Sequence, residues 1–94
     1  MKGAFLMVTK KHIHNIEELQ KIQLLANHTP ADVGLHSEDG SIIIDAKSFI
    51  GLFALDFSKP ILVVSEDLAF HRRIANIGET LDFMPRQLMS EVYQ

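Results

Sequence analysis

The chain of 94 residues has no cysteine. Disulfides, thiolate-held metals and a cysteine nucleophile are therefore excluded. It has no long hydrophobic run either. The stretch Ala4 to Val8, behind a single Lys2, is too short for the apolar part of a secretion signal and far too short to cross a membrane. Positive charge is not in excess: the formal net charge is -3, which argues against nucleic acid as a main partner. No internal repeat, low-complexity tract or linker interrupts the sequence. A Gly-rich phosphate loop, an evident Ser-His-Asp arrangement and an acid–base carboxylate pair are all missing, apart from two glutamates at a helix start. The expectation is a soluble cytoplasmic protein that is not itself an enzyme, takes no cofactor and binds neither nucleic acid nor membrane.

What remains is an ordinary globular composition, 47% hydrophobic and 22% charged. It suits one small domain over residues 1–94, whose core removes somewhat over ~60% of the unfolded surface from water. "AFLMVT", bounded by Gly3 and the Lys10-Lys11 pair, reads as a buried strand. Ile16, Leu19, Ile22 and Leu25-Ala26 recur at three to four residues, the stripe of an amphipathic helix, and Thr29-Pro30 stops it. Val33 and Leu35 share one face of a second strand. Asp39-Gly40 supplies the tight turn of a hairpin, and "SIIID" returns as its partner. "KSFIGLFAL" is a short apolar helix and "ILVVS", residues 61 to 65, a fourth strand. Ser65 to Asp67 then open a long helix with Phe70, Ile74, Ile77 and Leu81 along one stripe. Pro85 bends or ends it, and residues 85–94 add a last amphipathic turn through Leu88, Met89 and Val92. The order β-α-β-β-α-β-α predicts an α+β open-faced β-sandwich, with a four-stranded antiparallel sheet and three helices on one face.

Residues 31 to 67, with the Asp-Gly hairpin followed by Lys47-Ser48-Phe49-Ile50-Gly51, resemble HPr, the histidine-containing phosphocarrier protein of the sugar phosphotransferase system. The resemblance implies the same element order. It also implies a phosphorylatable histidine that opens the first helix, in a motif of the form Gly-Ile/Leu-His-Ala-Arg-Pro-Ala. Counted back from Asp32-Val33, that histidine falls on Asn15, the arginine on Glu17 and the proline on Glu18. Every chemical position departs. An asparagine amide has no basic lone pair, and two carboxylates stand where a phosphoryl group needs positive charge. Asn15-Ile16-Glu17-Glu18 reads instead as an asparagine version of the capping box.

Five histidines remain to be placed. His12 and His14 would point to one side of an extended segment, spaced as two metal ligands could be. Two ligands do not make a site; a third would have to come from His36, His71 or a carboxylate brought in by the fold, so no metal is expected. His14, one residue before the motif position, or His12 is the alternative phosphocarrier. His28 and His71 read as helix-surface residues and His36 as a strand residue.

Ser48 is a helix cap, and the resemblance adds a regulatory phosphorylation there. The apolar residues behind it are too many for one buried stripe. Leu52 and Leu55 should turn inward, leaving Phe49, Ile50 and Phe53 exposed to bind a protein partner. By resemblance that partner is a phosphotransferase-system enzyme or a regulator; a second copy of the chain is the other choice. The whole therefore reads as an HPr-like binding or regulatory protein that has lost its phosphorylatable histidine. A phosphocarrier using His14 or His12, and an unrelated α+β oligomerisation or small-ligand module, are the competing readings.

Overall fold

A computed structural model describes residues 5–87. Along the chain run β1 (Phe5–His12), α1 (Ile16–Asn27), β2 (Gly34–Ser37), β3 (Ile43–Asp45), a 3-10 helix (Ile50–Ala54), β4 (Ile61–Ser65), α2 (Leu68–Arg73) and β5 (Glu79–Gln87). The strands form one sheet in the order β3-β2-β4-β1-β5, and every neighbouring pair is antiparallel. The fold is α+β, as expected. The four-stranded, three-helix description needs correction. A fifth strand is added, the middle helix is a 3-10 helix, and the last helix is cut short.

The cut has a visible cause. Phe70 and Ile74 are fully buried and Ile77 packs at the edge of the core, so the stripe begins as a helix would. The helix nevertheless closes at Ile74, whose N–H bonds back to the carbonyls of Arg72 and Phe70. Gly78 then takes φ +68°, and a Cβ there would lie 2.8 Å from the His12 carbonyl. The chain turns against the end of β1 and runs back along it, from His12↔Glu79 to Phe5↔Gln87. Leu81, the expected fourth member of the helical stripe, is instead a strand residue, 44% exposed. Pro85 to Gln87 belong to this strand rather than to a helical turn. Proline is tolerated there because β5 is an edge. Leu88, Met89 and Val92 lie outside the described residues.

One face of the sheet makes the core. Leu35, Ile61 and Val63 join Leu19, Ile22 and Ala26 of α1, Leu52 of the 3-10 helix, and Phe70 of α2 in a single apolar cluster. Removing this surface from water is the main stabilising term. The Lys10-Lys11 pair does not end β1. The strand runs on to His12 with an irregularity between the two lysines, and Lys11 turns into the protein with no exposed surface. The hairpin forms where Asp-Gly predicts it, with Gly40 at φ +79°. The Ser41 N–H, followed by the Ser37 and Ser41 hydroxyls, holds the Asp39 carboxyl down at about 2.

Candidate functional site

The start of α1 is a capped helix end. Asn15 is extended, at φ -158° and ψ 169°, and its Oδ1 accepts from the Glu18 N–H at 2.9 Å. Glu18 reaches back past the cap and accepts from the His14 N–H at 2.7 Å, so one open helix donor is satisfied by Asn15 and the first turn is tied to the residue before the cap. The His14 N–H is also the main reason that the Glu18 carboxyl lies below its ordinary range; the His14 ring and the Gly78 N–H add to it. Glu17 and Glu18 both sit on the first turn, favourably placed at the positive end of the helix.

Beside this cap the fold assembles a cluster that sequence order leaves incomplete. Ile13 is anchored in the core, 1% exposed, and its neighbours His12 and His14 face outward together. Their rings meet edge to face with centroids 4.9 Å apart. Glu79, the cross-strand partner of His12, brings Oε1 to 3.8 Å from His12 Nδ1. One ligand atom from each of His12, His14 and Glu79 lies within 4.8 Å of the other two. His14 Nδ1 also contacts both Glu18 oxygens, at 3.2 and 3.3 Å. No sequence signal points to Glu79, because its place depends on a strand that local periodicity reads as helix.

The other histidines divide. His28 caps the end of α1 with Nδ1 2.8 Å from the Leu24 carbonyl, on the surface as expected. His36 lies on β2, and burial lowers its pKa. His71 is not a surface residue: it is 4% exposed, wedged between α2 and the sheet. Its Nε2–H donates to the Ser65 carbonyl at 2.9 Å, so its Nδ1 accepts from the Thr9 hydroxyl at 2.7 Å. Both ring nitrogens are used by a neutral imidazole, and burial pushes the pKa down. Nearby, buried Lys11 donates from Nζ to Thr80 Oγ1 at 2.6 Å and to the Ala75 carbonyl at 3.1 Å. Burial lowers the pKa of this amine, partly offset by the Glu18 charge.

A groove of about 440 Å³ runs between α2 and β5, lined by Thr9, Leu68, His71 and Phe83 among others. Its size suits a small ligand. Its buried polar atoms, however, are spent on each other: His71 on Thr9 and Ser65, Thr80 on Lys11 and Ala75.

At the other candidate, Ser48 Oγ accepts from the Gly51 N–H at 3.0 Å and so starts the 3-10 helix from outside it. Leu52 and Leu55 are buried, while Phe49, Ile50 and Phe53 are 58%, 80% and 66% exposed. The two phenyl rings pack edge to face, centroids 5.6 Å apart, so Phe49 and Phe53 form a contiguous exposed pair with Ile50 beside Phe49 in the chain. Among the described residues, no helix is long and apolar enough to cross a membrane. No family model matches this chain, and neither a curated protein nor a solved structure does.

Proposed function

We propose that the chain is a non-catalytic docking module of the HPr-like type, which presents Phe49, Ile50 and Phe53 to a protein partner. The single observation behind this reading is that apolar cluster, held in the open by a helix whose inward side chains are already buried. Large apolar side chains left in water beside one another mark an interface. Three side chains of this size cover at most a few hundred Å², well under the ~800 Å² per partner of a standard stable interface. A transient encounter with another protein fits that area better than an obligate dimer does. The α+β element order is compatible with the HPr resemblance, with a 3-10 helix at the middle position and β5 as a departure from it. That favours a phosphotransferase-system enzyme or its regulator as the partner.

Chemistry at the old motif position is disfavoured by charge. Asn15 is committed to the cap, and Glu18 and Glu79 lie beside His14 and His12, where a phosphoryl dianion would have to sit. Ser48 is better placed for modification. A phosphate there adds charge at the rim of the patch and can switch the partner.

The test is an NMR titration of the labelled chain with the phosphotransferase of the resembling system, with phosphoenolpyruvate present. Saturable shifts over Lys47 to Leu55, lost in Phe49→Ala and Phe53→Ala, are expected, with no acid-labile phosphohistidine. Stoichiometric labelling of His14 would overturn the reading in favour of a carrier. Shifts unaltered by both substitutions would remove the patch from the binding surface.

A further inference from the structure

The junction of β1, α1 and β5 is better built than a chance meeting of surface side chains. His12 closes β1, His14 precedes α1 and Glu79 opens β5, so the three groups come from three different places in the chain. Each is fixed by a separate device. Ile13, buried between the histidines, forces both outward. The capping pair Asn15 and Glu18 fixes the backbone at His14. The cross-strand pairing His12↔Glu79, reached through a turn that only glycine fits at position 78, sets the backbone of Glu79 opposite His12.

We propose that His12, His14 and Glu79 form a binding site for a divalent transition-metal cation of borderline softness, with zinc as the reference ion. Two imidazoles and a carboxylate are a donor set that zinc takes readily, leaving a fourth position for water. Bond lengths near 2.0–2.1 Å put the donors of a tetrahedral site ~3.3 Å apart. The present separations of 3.8 Å for His12 to Glu79, and under 4.8 Å overall, close to that value by small rotations. All three side chains keep enough exposure to make those rotations freely.

Glu18 completes the arrangement. Its carboxylate lies against His14 Nδ1, so that nitrogen carries the proton and Nε2 keeps the free lone pair. A carboxylate behind a ligating histidine fixes the tautomer and raises the donor strength of the ring. Glu18 and Glu79 together also balance the charge of a dication. The same two carboxylates that make the place hostile to a phosphoryl group make it receptive to a metal.

The proposal is tested on the full-length, untagged chain by calorimetric titration with zinc chloride after chelator treatment. One zinc per chain, at low-micromolar affinity, is expected. The thermal midpoint should rise by several degrees at saturating zinc and return on adding chelator. His12→Gln, His14→Gln and Glu79→Gln should each weaken binding at least ~10-fold, as should Glu18→Gln through its support of His14. Glutamine keeps the capping role at position 18, so that variant still folds. His28→Gln, on the far end of α1, should bind as the parent does. Melting curves in chelator identify any variant whose fold has changed, and affinities are compared only among chains that melt alike. Absence of saturable binding below ~100 μM zinc would overturn the site, and so would equal loss of affinity in His28→Gln.

Discussion

Lys11 offers the sharpest test of how this core is held. Its side chain is fully buried among neutral acceptors, with no carboxylate within ion-pair distance among the described residues. Two opposing contributions follow. The stem fills core volume, and the ammonium is held out of water, where burial lowers its pKa and two hydrogen bonds to neutral acceptors replace its hydration. Lys11→Ala removes the three methylenes beyond Cβ. At ~0.8 kcal/mol for each, that is a loss of about 2–3 kcal/mol before any cavity is counted. Lys11→Met keeps most of the stem and deletes the charge. The acceptors it leaves are not orphaned, because Thr80 Oγ1 already donates to the Ala75 carbonyl at 3.1 Å. Its stability at pH 7 should therefore lie within ~1 kcal/mol of the parent, or above it.

Urea denaturation of the three proteins at pH 7, with equal slopes, gives these differences directly. A second readout is pH. An amine whose folded pKa is depressed binds fewer protons in the native state, so the parent should gain stability relative to Lys11→Met as pH rises toward 10.5. If Lys11→Met loses as much as Lys11→Ala, the two hydrogen bonds outweigh the burial cost and the reasoning is wrong.

Two further outcomes are expected. Asn15→Ala should cost ~1 kcal/mol and lower the thermal midpoint by ~4–8 °C; an unchanged melting curve would show that the Asn15 bond to Glu18 carries no stability. His71 is held neutral in the fold but titrates near 6.5 in the unfolded chain, so its contribution is fully present above that pH and is lost as pH falls below it. Stability should drop by at most ~1.4 kcal/mol per pH unit from this one group, and His71→Gln should have a flatter profile between pH 7.5 and 5.5; parallel profiles would exclude His71 as the cause.

The parts of the fold that sequence reading reached are those whose cause is local. The stripe Ile16, Leu19, Ile22, Ala26 and the Asn15 cap define α1 within a few residues of one another. Asp39-Gly40 carries its own turn, and counting apolar residues was enough to leave Phe49, Ile50 and Phe53 outside. The misread parts have distant causes. Phe70, Ile74, Ile77 and Leu81 satisfy a helical period, and nothing near them reveals that the edge of β1 lies open to a strand. Glu79 could not be joined to the histidines until that strand was known. Lys11 read as the end of a strand and His71 as a helix-surface residue, yet each has a partner more than sixty residues away along the chain.

The place of β1 in the sheet also bears on how the protein is made. Of the five described strands it is synthesised first, yet its neighbours, β4 and β5, are the last two. Until β4 emerges, β1 has neither edge paired, and α1 has only the β2–β3 hairpin to pack against. Folding during synthesis is therefore confined to the β2–β3 hairpin and whatever helix α1 forms beside it, and the remainder must close late, through contacts of high sequence separation. Such topologies fold slowly, and the waiting strand, with its run of Leu6, Met7 and Val8, is the segment most open to wrong pairing in the meantime.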